Sequence, residues 1–293
     1  MTRTKIIFRC YIISFIWFCQ LNLITLEKFS SLKAAEAAYL SSNPNVSYEE
    51  ILELPYRISD HRISYGEESP QFGRLWLPES KNNGTVIFIH GGCWINEYGI
   101  DHTQAFSTAL AVAGYAVWSI EYRRTGDPGG GWPGTFEDVI TGINKLSDLG
   151  HFGLHMESLV LMGHSAGGHL AVLAGARSEL LEVKPALVLG LAAITDVVTY
   201  AEGQNSCQEA AAEFMGGTPE ERPDAFGEVQ PVNFGVNSDT VLLSGAIDQI
   251  VPPSQAELSG ATVIRHENAG HFDWIHPGTD AFQVILSILA RNL

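Results

Sequence analysis

Residues 159–169 read LVLMGHSAGGH, and this stretch decides the fold of the chain. Four apolar residues end abruptly in GHSAG, in which Gly163 and Gly167 each lie two positions from Ser165. A strand that turns directly into a helix strains its turn residue and crowds the positions two before and two after it, which therefore favour glycine. The pattern predicts a strand–turn–helix elbow that presents the Ser165 hydroxyl as a nucleophile. A glycine-rich turn without chemistry is the alternative.

The composition fits one large α/β domain and excludes one class of partner. The 293 residues are 45% hydrophobic and 17% charged, a balance that suits a sizeable core. The formal net charge is −16, from 17 Lys and Arg against 33 Asp and Glu. Because such a charge repels phosphate backbones, no nucleic-acid partner is expected.

The N-terminal segment has the features of a targeting signal. Three basic residues precede an apolar stretch over 10–26, and Ala35-Glu36-Ala37 matches the small-residue site that signal peptidase reads. We therefore expect 1–37 to be a signal peptide and the protein to be secreted or periplasmic. An uncleaved anchor, with N-terminal membrane association, is the alternative, and a plain buried helix is another. Of the four cysteines only Cys93 and Cys207 lie outside this segment, and the sequence leaves their pairing open.

Hydrophobic patterns predict an α/β fold over 38–293, and 41–55 are predicted to be an irregular segment before the first strand. Alternating residues at Arg62–Tyr65 and Phe72–Leu77 predict an antiparallel pair at a sheet edge. The later strands are apolar on both faces, which is typical of a doubly wound, mostly parallel sheet flanked by helices. Those strands are predicted at Thr85–Ile89, Tyr115–Ile120, Ser158–Met162, Ala186–Leu191, Thr240–Leu243 and Ala261–Ile264, with helices at Gln104–Ala113, Thr135–Leu149, Ala166–Arg177, Gln255–Leu258 and Asp280–Arg291.

One connection, over 194–239, is much longer than the others. Insertions of this size in a compact domain usually serve as lids or pocket walls, so we expect a small cap. Within it, Thr218-Pro-Glu-Glu221 has the pattern of a capping box and predicts a helix start. A surface excursion that never contacts substrate is the alternative.

A serine hydroxyl is a poor nucleophile unless a base stands beside it and a third group orients that base. In a doubly wound sheet these partners should follow the serine in the order acid, then histidine, after later strands. Asp248 lies just past the strand predicted at Thr240–Leu243, and His271 lies in the loop before the last helix. The sequence thus predicts Asp248 and His271 as the partners of Ser165.

Other residues remain candidates for these two roles. Asp196 also follows a strand, and His276 could act as base, whereas Asp273 lies too close in sequence to His271 to orient its ring. His164 and His169 flank the serine and are expected to be structural and to point elsewhere. Histidines spaced five apart do not match the i, i+4 spacing of a zinc pair, so neither metal nor cofactor is expected.

The loop after the strand at Thr85–Ile89 reads HGGCW over 90–94. Its two glycines let the backbone approach a substrate closely with its amides turned inward. We expect the amides of Gly92, Gly91 and Ala166 to form an oxyanion hole. A phosphate-binding loop is excluded because no Gly-Lys-Ser or Gly-Lys-Thr occurs.

Together, GHSAGGH at 163–169, HGGCW at 90–94 and GHFD at 270–273 resemble the α/β-hydrolase superfamily. Within it they are similar to the carboxylesterase and arylformamidase (kynurenine formamidase-like) group with a His-Gly-Gly-x-Trp loop. The resemblance extends from about Gly73 to the C-terminus, and only the 22 residues between Asp248 and His271 are fewer than usual. It implies the same catalytic and oxyanion residues that the spacing predicts.

The predicted function is therefore serine-dependent hydrolysis of carboxylic esters with small acyl or aryl groups, through an acyl-enzyme. An arylformamidase-type amide hydrolase is the alternative, and a non-catalytic binding module on the same fold is a third reading. The expected partner is a small-molecule ester or amide. Aromatic residues in loops on the catalytic side are candidates for the substrate pocket: Trp94, Trp132, Phe272 and Trp274.

Overall fold

The computed structural model describes residues 43–79, 81–236 and 239–293, so the predicted leader lies outside the described residues. Eight of the described strands form one sheet, and they are β1 His61–Ser64, β2 Phe72–Trp76, β3 Thr85–Ile89, β4 Ala116–Ile120, β5 Leu159–His164, β6 Leu187–Leu191, β7 Thr240–Gly245 and β8 Thr262–His266. Their order across the sheet is β1-β2-β4-β3-β5-β6-β7-β8. The pairs β1–β2 and β2–β4 are antiparallel and the other five pairs are parallel, which confirms the predicted doubly wound sheet with an antiparallel edge.

Helices cover both faces of this sheet, because successive residues of each central strand point to opposite sides. The helices are α1 Tyr48–Glu53, α2 Gln104–Val112, α3 Gly134–Asn144, α4 Ala166–Ala176, α5 Val197–Tyr200, α6 Ser206–Met215, α7 Pro223–Glu228 and α8 Asp280–Asn292. In β3, Ile87 packs with α3 and α4 on one face, whereas Phe88 packs with α2 and α8 on the other. Within the described ranges, none of these helices combines the length and the apolar character that a membrane span needs.

The order in which the strands are added to the sheet reverses at β3. Its neighbour on one side is β4, and its neighbour on the other side is β5. In open α/β sheets, ligands bind outside the carboxyl ends of the strands at such a switch point. The loop after β3 carries Gly92, and the turn after β5 carries Ser165. The topology therefore places the two sequence motifs side by side at one rim of the sheet.

Two local expectations from the sequence were wrong. The segment over 41–55 contains helix α1, whose capping box joins Ser47 and Glu50 in both directions. The predicted helix start at Thr218 is a turn instead. Its Thr218 hydroxyl and Glu221 carboxylate do form the reciprocal capping bonds, but the helix that follows is α7, which begins at Pro223. A capping pair closes a first turn without ensuring that the helix continues.

The long connection contains helices α5 to α7 within its described residues 194–236. A disulfide joins Cys207, in α6, to Cys93 in the loop after β3, with Cα atoms 4.9 Å apart. The side-chain amide of Asn205 and the hydroxyl of Tyr200 also donate hydrogen bonds to the Ile250 carbonyl. The connection is thus tied to the loops around Ser165.

Gly167→Ala should destabilise the protein although alanine is the better helix former. Helix propensity alone would favour alanine by about 1 kcal/mol. A Cβ at this position would overlap the backbone carbonyl oxygens of Ile89 and His90, which cannot rotate away. We expect urea denaturation to show a loss of about 1–3 kcal/mol in the free energy of unfolding. Gly150→Ala is the matched control, because no heavy atom lies within 4 Å of its added Cβ. Equal stabilities of the two variants would contradict the close approach.

Cys207→Ser should lower the free energy of unfolding by about 3 kcal/mol, because the disulfide closes a long loop of the unfolded chain. The two cysteines are 114 residues apart in sequence. Urea denaturation with and without a reducing agent measures the effect. The reducing agent should bring the wild type to the stability of the variant and leave the variant unchanged. A wild type that is insensitive to the reducing agent would argue against the bond.

Candidate active site

Ser165 stands at a strained turn between β5 and α4. Its φ of 56° and ψ of −122° lie outside the favoured regions for a residue with a side chain. Added Cβ atoms at Gly163 and Gly167 would overlap neighbouring backbone, so both flanks must be glycine. Ser165 is 3% exposed. Its turn is nevertheless open to a cavity of about 360 Å³, which Ser165 lines together with His271.

The ring of His271 is oriented by a buried carboxylate. Its Nδ1 lies 2.8 Å from Oδ2 of Asp248. The other carboxylate oxygen accepts hydrogen bonds from the backbone amides of Ile250 and Val251, both at 2.8 Å. An acceptor held at Nδ1 selects the tautomer whose Nε2 is free to accept a proton. Asp248 thus bonds to His271, and His271 and Ser165 line the same cavity.

The alternative acids are occupied elsewhere. Asp196 caps α5, binding Thr199 and Gln230, and lines a separate depression of about 600 Å³ that contains neither a histidine nor a serine. Asp273 accepts hydrogen bonds from the backbone amides of Asn45 and Gly270. Neither carboxylate is the partner of the His271 ring. The acid that faces this ring is Asp248.

The alternative bases have structural hydrogen bonds. His169 Nε2 lies 2.9 Å from the Val229 carbonyl of the long connection, and the His276 ring accepts a bond from the Gly278 amide. The sequence predicts that His164 points away from the site, and this prediction is wrong. Its Nε2 lies 2.9 Å from the His271 carbonyl, and its ring lines the cavity.

Two further histidines at the site are kept uncharged by their surroundings. Burial, and after it the charge of His271, hold the pKa of His164 well below its usual value. Burial and the neighbouring His90 lower the pKa of His102 to about 3. Both rings line the cavity and are neutral near pH 7. They therefore contribute no positive charge to the site.

The glycine loop after β3 lies against the serine turn. A Cβ on Gly91 would lie 2.8 Å from the His164 carbonyl oxygen and 3.0 Å from the Ser165 Cβ, so only glycine fits this approach. His90 Nδ1 lies 2.7 Å from the Gly91 carbonyl. Because a trans peptide directs its C=O and N–H to opposite sides, the Gly92 amide then points away from His90. Gly92 lines the cavity, and Ala166 is the first residue of α4.

A buried carboxylate supports this loop from behind. Glu121 lies 2.9 Å from His90 Nε2, and it also accepts hydrogen bonds from the backbone amides of Ile100 and Tyr122. Burial raises its pKa, but the attraction of His90, their hydrogen bond and the charge of Arg124 outweigh burial and lower the pKa of Glu121 to about 2. Glu121 is therefore ionised at neutral pH and holds the His90 ring in place.

Residues 45–53, which include helix α1, form one wall of the cavity, and the sequence analysis did not anticipate this. The amide of Asn45 donates to both oxygens of Asp273, at 3.0 and 2.7 Å, and this bond fixes the segment next to the His271 loop. Tyr48 and Glu49 of α1 then reach the cavity. The capping-box pattern of Ser47 and Glu50 was a readable signal for this helix. The complete lining is Tyr48, Glu49, Gly92, Cys93, Ile95, Glu97, Tyr98, His102, His164, Ser165, Ser206, Cys207, Ile250, His271 and Phe272.

Only one of the aromatic residues predicted to form a substrate pocket lines this cavity, and that residue is Phe272. Trp94 is fully buried and stacks on Phe214 of α6 at 4.9 Å, and Trp274 is fully buried in the core on the other face of the sheet. Trp132 stacks on Phe136 and lines a separate depression beside Arg222. These three rings therefore do not line the cavity at Ser165, and a part for them in substrate binding stays a prediction.

No group of three or more His, Cys, Asp or Glu side chains within the described ranges is arranged to hold a metal ion. Beside Ser165, the His271 ring bonds to Asp248, and His164 Nε2 faces the His271 carbonyl. This arrangement suits proton transfer between a hydroxyl and an imidazole, with backbone amides facing the same cavity.

Glu121→Gln should make stability less dependent on pH in acid. The folded carboxyl has a pKa of about 2 against 4.5 in the unfolded chain, so its stabilising effect is present above pH 4.5 and is lost as pH falls toward 2. Between pH 6 and pH 3, urea denaturation should show a difference between wild type and variant that shrinks by about 2 kcal/mol. Glu137→Gln, which removes an exposed carboxylate of α3, is the control and should show no such trend.

Comparison with known proteins places this geometry in a family. The BD-FAE family model matches residues 75–261, more than half of the chain. Esterase LipC of Mycobacterium tuberculosis is 25% identical over 213 residues, which are 67% of this chain and 52% of LipC. Kynurenine formamidase of Meyerozyma guilliermondii is 25% identical over 216 residues, 68% of this chain and 79% of that protein. The chain thus spans about half the length of LipC.

Solved structures of esterases share the fold. Esterase B from Lactobacillus rhamnosis superposes with a TM-score of 0.68 at 20% identity, covering 93% of this chain and 94% of esterase B. A hyperthermophilic esterase from the archaeon Pyrobaculum calidifontis gives 0.63 at 17% identity, covering 91% and 92%. The fold is that of the α/β hydrolases, and the resemblance to carboxylesterases and arylformamidases is confirmed. With residues 75–261 matched, the chain belongs to the BD-FAE family.

Proposed function

We propose that the chain is a serine hydrolase that cleaves carboxylic esters with small acyl or aryl groups. The observation that carries the proposal is the 2.8 Å hydrogen bond between His271 Nδ1 and Asp248 Oδ2, beside the cavity that Ser165 lines. A nucleophile, a base and a group that orients the base are the minimum that acyl transfer through serine requires. The relatives named esterase support the same reaction class.

In the proposed mechanism the Ser165 hydroxyl attacks the ester carbonyl while His271 Nε2 takes the hydroxyl proton. Asp248 keeps the imidazole oriented and stabilises the imidazolium. The carbonyl oxygen becomes an oxyanion, which the amides of Gly92 and Ala166 stabilise, with Gly91 giving the loop its close approach. The C–O bond then breaks, and the imidazolium gives its proton to the alcohol. Water, deprotonated by His271, releases the acid and restores Ser165.

An arylformamidase-type amide hydrolase is the second candidate. Its support is the similarity to a kynurenine formamidase and the HGGCW loop at 90–94. The same nucleophile, base and oxyanion donors would cleave a formamide. A non-catalytic binding module fits less well, because such a module has no need of a hydrogen-bonded histidine–carboxylate pair beside a strained serine. Hydrolysis of N-formyl aryl amides against matched aryl esters decides between the first two.

For the cellular location we propose export, with 1–37 as a leader and a membrane anchor as the alternative. The disulfide between Cys93 and Cys207 supports export, because such bonds persist mainly in oxidising compartments. N-terminal sequencing of the protein from its native host would test the proposed cleavage after Ala37.

Ser165→Ala should lower the turnover of 4-nitrophenyl acetate by about three orders of magnitude or more, because the variant lacks the hydroxyl that attacks the ester in the proposed mechanism. His271→Ala should have an effect of similar size, and Asp248→Asn a smaller one. Ser287→Ala and His151→Ala replace exposed residues far from the site and should retain full activity. Thermal unfolding checks that all five variants fold. A Ser165→Ala variant with near wild-type turnover would place the nucleophile elsewhere.

A further inference from the structure

The charges and rings around the cavity narrow the substrate class, an inference that rests on the proposed esterase function. Within the described part of the chain, no Lys or Arg lines the cavity. Its lining histidines other than His271 are His102 and His164, which are neutral near pH 7. Glu49 and Glu97 also line it, and both are exposed carboxylates. Glu49 and Glu97 therefore give the cavity lining a negative charge that no lining Lys or Arg offsets.

Among the described residues, neither of these carboxylates has a cationic partner. No salt bridge to Glu49 or Glu97 occurs among the residues that the structure describes. The net charge of −16 adds a long-range field of the same sign. An anionic substrate would meet repulsion here and would find no cationic partner.

A series of rings leads from the base along the cavity. The ring of Phe272 lies 5.0 Å from that of His271, and Tyr48 lies 5.5 Å from Phe272. Tyr98 in turn lies 5.5 Å from Tyr48, edge to face. Tyr48 and Tyr98 line the same cavity as the two carboxylates Glu49 and Glu97. Aromatic faces beside carboxylates attract organic cations, because the ring quadrupole and the negative charge act in the same direction.

We propose that this part of the cavity is a subsite for a cationic group, and that the enzyme prefers esters whose alcohol or acyl part carries an ammonium group. We name the five residues Tyr48, Glu49, Glu97, Tyr98 and Phe272 the cation subsite. The ester carbonyl is placed at Ser165, and the ammonium group lies along the rings that start at Phe272. Substrates with a free carboxylate, as in an N-formylated amino acid, are disfavoured by the same charges.

Two esters that differ only in charge test the proposal. Acetylcholine and 3,3-dimethylbutyl acetate have the same shape, but the second has a neutral carbon in place of the quaternary nitrogen. At low ionic strength, kcat/KM should be about tenfold higher for acetylcholine, a preference expected from cation–π and exposed charge attraction together. In 0.5 M NaCl the ratio should fall, because salt screens exposed carboxylates. Equal or lower kcat/KM for acetylcholine would overturn the proposal.

Matched variants assign the preference to the cation subsite. Glu49→Gln should reduce the ratio of the two kcat/KM values several-fold. Glu53→Gln removes an exposed carboxylate from the same helix α1 but outside the lining, changes the net charge equally, and should leave the ratio unchanged. Tyr48→Leu should lower the ratio and Tyr48→Phe should retain it. Equal effects of Glu49→Gln and Glu53→Gln would assign the preference to overall charge and overturn the subsite.

Binding to the inactive Ser165→Ala variant separates this proposal from the proposed function. Calorimetry should show tighter binding of acetylcholine than of its neutral isostere even when no ester is turned over. If the wild type cleaves 4-nitrophenyl acetate but Ser165→Ala binds both esters alike, the cation subsite is wrong and the esterase stands. If the charge preference in binding is present but no ester is cleaved, the esterase function fails and the subsite stands.

Discussion

The close approach of two backbone segments is the constraint on which the rest of the site depends. The serine turn between β5 and α4 lies against the loop after β3, and Gly91 and Gly167 make that contact because neither has a side chain. The same contact strains Ser165 and brings Gly92 to the cavity that Ser165 lines. Strain of this kind persists only where surrounding structure enforces it. Here the parallel pairing of β3 with β5 enforces it.

Behind this contact lie two buried carboxylates with different roles. Asp248 orients His271, and its second oxygen is held by two backbone amides. Glu121 holds His90, whose other nitrogen bonds to the Gly91 carbonyl and so sets the direction of the next peptide. Each carboxylate thus acts through a histidine, one on the proposed base and one on the proposed oxyanion loop. Removing one partner of such a buried pair destabilises a protein by more than the intact pair stabilises it.

Segments distant in sequence complete the cavity. Residues 45–53 are tied by Asp273 to the His271 loop and contribute Tyr48 and Glu49, while the disulfide ties Cys207 to Cys93. Glu97 and Tyr98 come from the loop after β3, and Phe272 follows His271. Together these segments give the cavity the acidic and aromatic lining on which the proposed preference for cationic esters rests.

The sequence by itself determined the sheet, the turn and the order of the site residues. Its local patterns are strong, since strands apolar on both faces belong in a covered parallel sheet, and GHSAG permits few turns other than the one at Ser165. Asp248 and His271 could be placed because the carboxyl ends of parallel strands meet at one rim. Only the tertiary structure decided which rings face the cavity. An aromatic residue in a loop has no periodicity that tells core from lining. The cavity at Ser165 is therefore lined by Tyr48 and Tyr98, which the sequence did not single out, and not by Trp94 and Trp132. Pairing of Cys93 with Cys207 was likewise decided by distance in space, which no pattern along the chain encodes.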